Sequence, residues 1–103
     1  MLEKALADLE KSICTLRPAL IEYLKAVGNL NSKNWARDVA KAKVVAINEL
    51  LLAKTRRLAL QELLRGTAAP QDEIMRMSNT VERLSLLIKK AEDLLNEPLV
   101  QSA

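Results

Sequence analysis

General acid–base chemistry at neutral pH falls first to histidine, and this 103-residue chain contains none. A histidine-based triad, a histidine metal site and a phospho-relay histidine are therefore excluded. Cys14 is the one cysteine. As a nucleophile it would need a base and an electropositive setting, yet only Lys11 and Arg17 lie close in sequence, so a partly buried structural cysteine is expected. A single cysteine also leaves no internal disulfide framework and no cysteine-based zinc site. Glu92, Asp93 and Glu97 gather near the C-terminus, where a solvated helix end is a simpler reading than a cation site. Gly28 and Gly66 are the only glycines, so no glycine-rich loop can cradle a phosphate. No enzyme activity, cofactor or metal is expected.

The remaining chemistry belongs to the basic residues. Lys33, Arg37 and Lys41 recur every four residues, which aligns them as one ridge on a helix. Such a ridge can track phosphates with a salt-dependent affinity, and Trp35 beside it could stack a base. Asp38 interrupts the ridge, the net charge is only +3, and no helix-turn-helix spacing is visible. Nucleic-acid binding is accordingly the alternative reading. Charge is unevenly spread: residues 1–30 balance, the basic groups of 31–66 outnumber Asp38, Glu49 and Glu62, and 67–103 lean acidic. A basic middle segment and an acidic last one favour side-by-side packing. Arg56 and Arg57 could pair with those acidic residues and Glu49, or grip an acidic partner.

These side chains must be positioned by helices. Half the residues are apolar, but aromatic residues are reduced to Trp35 and Tyr23, a composition suited to a Leu/Ile/Val/Ala/Met helical core rather than a sheet. Leu2, Leu6, Leu9, Ile13, Leu16, Leu20, Tyr23 and Val27 follow a strict 4-3 spacing. Ile74, Met77, Val81, Leu84, Ile88, Ala91 and Leu95 follow 3-4 spacing. Each set forms a stripe that packs against another helix. The pattern predicts an all-α, antiparallel up-down-up bundle of three long helices in one domain, residues 1–97, with a flexible tail at 98–103.

The first helix is expected over residues 2–27, stopped by left-handed conformations at Gly28 and Asn29. Pro18 breaks one hydrogen bond inside it. Either the segment is two short helices with Thr15 capping the second, or one helix kinks near Cys14; the unbroken heptad phase favours the kink. The second helix should open with Asn31 or Ser32 as its cap and end at Gly66, about 50 Å at 1.5 Å per residue. The third should take Pro70 as its first residue, with Asp72 and Glu73 in the first turn complementing the helix dipole, and end near Asn96.

The middle helix carries apolar residues on most faces between 44 and 53. Two neighbours cannot cover a helix that is apolar all round, and Ile21, Leu24, Leu87 and Leu94 widen the outer stripes further. The expected function is a non-enzymatic protein–protein interaction module: an adaptor, a chaperone-like protein or an assembly subunit. Val44, Ile47, Leu51 and Leu58 are the candidate apolar contacts, and the Arg56-Arg57 pair would set orientation. A homodimer is the expected partner state, ahead of a heterologous protein partner. No segment reaches the roughly 18 uncharged apolar residues of a membrane span or resembles a signal peptide, so no membrane association and a reducing, cytoplasmic setting are expected.

Overall fold

The computed structural model describes residues 1–98. These form three packed α-helices: α1 (Leu2–Gly28), α2 (Trp35–Gly66) and α3 (Gln71–Asn96), with no strand among the described residues. The body is rod-like, 57 × 20 × 15 Å. The expected tail lies outside the described residues apart from Pro98.

In α1 the leucine seam is half of the inward face. Leu9, Leu16 and Tyr23 are buried, and with them Ser12 and Ala19. The row Ala5, Ser12, Ala19, Ala26 thus runs at seven-residue intervals along the core, while Leu6, Ile13, Leu20 and Val27 are only half-buried on its other flank. Small side chains at heptad spacing let a neighbouring backbone approach closely. α2 answers in kind: Val39, Ala46, Ala53 and Leu60 are seven apart and all buried, and Ala46 and Ala53 have no exposed surface. In α3 the expected seam is buried from Met77 through Val81, Leu84, Ile88 and Ala91 to Leu95.

α2 is therefore not apolar all round in its packing. The run over residues 44–53 divides: Ala46, Leu50 and Ala53 face the core, whereas Val44, Val45, Leu51 and Leu52 face outward. Polar ties join the helices at their edges. The Thr15 hydroxyl on α1 donates to the Glu49 carboxylate at 2.9 Å, and Arg56 meets Asp8 at 3.4 Å. Lys54 pairs with Glu92 on α3. The Trp35 indole N–H donates to the Val27 carbonyl at 3.0 Å. The buried Tyr23 hydroxyl has no hydrogen-bond partner among the described residues.

α1 runs through Pro18 as one helix, not two. Pro18 and Cys14 are both exposed, so the ring and the turn that loses its donor lie on the solvent side, where the disruption is least costly. Three boundary details differ from the sequence reading. α1 stops without a left-handed residue, since no residue described has positive φ and Asn29 sits at φ −89°. α2 begins at Trp35 with Asn34 as its cap rather than Asn31 or Ser32. Ser32 is spent in the turn, accepting from the Asn34 N–H at 3.3 Å and donating to the Asp38 carboxylate at 2.9 Å, while Trp35 is anchored on Val27. Pro70 is the cap of α3 rather than its first residue: its carbonyl accepts the N–H groups of Glu73 and Ile74, both at 3.1 Å. Asp72 and Glu73 do occupy the first turn, where their charge complements the exposed N–H groups.

Candidate interaction surface

The outward face of α2 follows from the same heptad that builds its core. With residues 39, 46, 53 and 60 turned inward, positions 44, 51 and 58 fall on the far side of a 3.6-residue helix. Val44, Leu51 and Leu58 are accordingly 57%, 54% and 58% exposed. A parallel row, Val45, Leu52 and Ala59, is also exposed, and these three were not singled out from sequence, although Val45 and Leu52 lie in the run that was. Ile47 departs from the expected set: it is partly buried and packs against the core. Between the two apolar rows runs a polar one, Asn48, Thr55 and Glu62, all exposed. The Thr55 hydroxyl donates to the Leu51 carbonyl at 2.9 Å, and Glu62 pairs with Arg65 at 3.1 Å. Lys41 closes the face at its N-terminal end.

Arg56 and Arg57 sit off this face. Arg56 turns to α1 and its ion pair with Asp8. Arg57 is half-buried toward α3, where its charge acts on Glu92. The hydrogen bond and charge of Lys54, helped by Arg57 and Lys89, hold the Glu92 carboxyl below its ordinary value. Thus one member of the acidic C-terminal group is committed to an ion pair between helices. Among the described residues no group of three or more His, Cys, Asp and Glu is placed to hold a metal ion.

The basic ridge is exposed at Lys33, Arg37 and Lys41, and Ser32 holds the carboxylate of Asp38 within it. Trp35 is half-buried against the core with its N–H committed to Val27, so its ring is a structural tie between α1 and α2. A second apolar feature lies between α1 and α3, a groove of about 360 Å³ lined by Ile13, Leu16, Leu20, Leu87 and Leu94 and rimmed by Arg17 and Lys90. Cys14, expected to be partly buried, is exposed and unpaired, because it follows the seam residue Ile13 on the solvent side of α1. No helix among the described residues is long and apolar enough to cross a membrane. No protein-family model, curated protein or solved structure matches the chain.

Proposed function

We propose that the chain is a non-enzymatic protein–protein interaction module, an adaptor or assembly subunit that works through the outer face of α2. The observation that carries this reading is the pair of apolar rows on that face, Val44-Leu51-Leu58 and Val45-Leu52-Ala59. Both are left in solvent by a helix whose opposite side is already buried. Single surface leucines are ordinary, whereas exposed apolar residues recurring along one face of a helix suit an interaction site.

The helices are proposed to run up-down-up. Asp8 opposite Arg56, Thr15 opposite Glu49 and Val27 opposite Trp35 support an antiparallel α1 and α2, and Lys54 opposite Glu92, with the short connection at residues 67–70, supports the same for α2 and α3. The exposed, unpaired Cys14 fits a reducing, cytoplasmic setting. A matched pair of substitutions tests the functional reading. Leu51→Glu on the proposed face should abolish association, while Leu86→Glu, on α3 and equally exposed at 59%, should leave it intact. Equal effects of the two would refute the assignment of the face.

A further inference from the structure

The outer face of α2 reads nearly the same in both directions about its midpoint. From that midpoint, between Leu51 and Leu52, equal steps toward either end meet Asn48 and Thr55, then Val45 and Leu58, then Val44 and Ala59, then Lys41 and Glu62. Any straight stripe on a helix maps onto itself in position when reversed. Here the residue types match as well: apolar falls on apolar, hydrogen-bonding amide on hydroxyl, and base on acid. All ten of these residues are exposed.

Under a two-fold axis residue i meets j and j meets i, so a face whose equivalent positions match in type is complementary to itself. We infer that the occupant of this face is a second copy of the chain, its α2 antiparallel to the first. The axis passes between Leu51 and Leu52, and Lys41 of each copy faces Glu62 of the other. The inference rests on the proposed interaction face and adds its occupant, orientation and register. Charge selects the orientation. A parallel pair would set Arg37 on Arg37, Lys41 on Lys41 and Glu62 on Glu62, and like charges directly opposed disfavour association. The antiparallel pair exchanges these for two Lys41–Glu62 contacts, with Glu62 already drawing on Arg65 of its own helix. Asn48 meets Thr55 of the second copy twice, each amide beside a hydroxyl able to donate or accept. A polar pair within an apolar seam fixes register at some cost in stability. The apolar core of the contact spans residues 44–59, about 22 Å at 1.5 Å per residue, and the charged pairs close its two ends.

Cysteine trapping in a Cys14→Ser background tests the orientation. One preparation carries Asn48→Cys and a second carries Thr55→Cys; both positions are exposed. On mild oxidation, the mixture should give the mixed disulfide at least ten-fold more readily than either preparation forms its own. Self-linking of each preparation would overturn the antiparallel register. So would failure to link in a protein that sediments as a dimer. A charge exchange supplies a second readout: Lys41→Glu should weaken the dimer several-fold, and Lys41→Glu with Glu62→Lys should restore it. A double variant as weak as the single would overturn the Lys41–Glu62 contact. Leu51→Glu separates this inference from the reading beneath it. If Leu51→Glu abolishes a dimer that the cysteines do not trap, the face stands and the register falls. If it leaves the dimer intact, the face itself is wrong. A wild-type monomer at every concentration overturns the second copy as occupant, whatever else the face binds.

Discussion

Leu51→Glu places a carboxylate beside the proposed two-fold axis without touching the core of the single chain. Leu51 keeps 54% of its surface in the isolated chain. Full burial of a leucine side chain is worth about 1.5–3 kcal/mol, so covering the exposed half contributes about 1 kcal/mol per copy and about 2 kcal/mol per dimer. The substitution removes that and adds repulsion. Two carboxylates about 6 Å apart at an effective dielectric constant of about 20 repel by about 3 kcal/mol. The total, about 5 kcal/mol, exceeds a thousand-fold in dimer affinity at 1.4 kcal/mol per decade. The isolated chain should scarcely notice, because Glu and Leu are both good helix formers and surface exchanges change stability by about 0.5 kcal/mol or less. Sedimentation velocity over a concentration series reads the first quantity, and thermal unfolding followed by circular dichroism at dilute concentration reads the second. An unchanged association constant would refute the face. A collapse of the melting temperature in the dilute sample would refute the claim that Leu51 lies outside the core.

Two further outcomes test the packing. Ala53→Leu forces extra carbons into the fully buried small-residue seam of α2 and should cost about 1–3 kcal/mol, lowering the melting temperature by several degrees; a rise would mean the helices are not closely apposed there. Glu92 is held below its ordinary value by Lys54, so the folded state favours its ionised form. That stabilisation is present at neutral pH and is lost as pH falls below the ordinary carboxylate value and through the lowered folded one. Glu92→Gln should therefore lose stability at neutral pH and little at acidic pH, in paired denaturant titrations; equal loss at both would contradict the ion pair.

How much of this was written in the sequence depends on side-chain size. The third helix was legible almost residue for residue, because Met77, Val81, Leu84, Ile88, Ala91 and Leu95 are mostly large, apolar and correctly spaced. The seam of α2 was not, because its repeating members include Ala46 and Ala53, whose methyl groups carry little signal beside Val44, Leu51 and Leu52. A bulk-weighted pattern thus reads α2 as apolar all round, whereas the close approach of two helices selects the small residues as core. The same bias hid Ala5, Ser12 and Ala19 in α1. Of the apolar contacts expected from sequence, Val44, Leu51 and Leu58 are exposed together on one side of α2. Ile47 lies between the exposed and buried sides of the helix and packs partly against the core, and Arg56 turns toward α1 because Asp8, distant in sequence, is brought opposite it. Short-range turn chemistry erred by one to three residues at Asn34 and Pro70, where a tertiary tie from Trp35 and backbone capping by Pro70 decide the start.

The central claim is that the outer face of α2 is covered by a second copy. The most direct measurement is the absolute mass of the wild-type chain by size-exclusion chromatography with light scattering, across a wide dilution series. The account predicts a mass twice the chain's 11.5 kDa at high concentration, falling toward the single-chain value on dilution while helicity is retained. A well-folded chain of single mass at every concentration would contradict it.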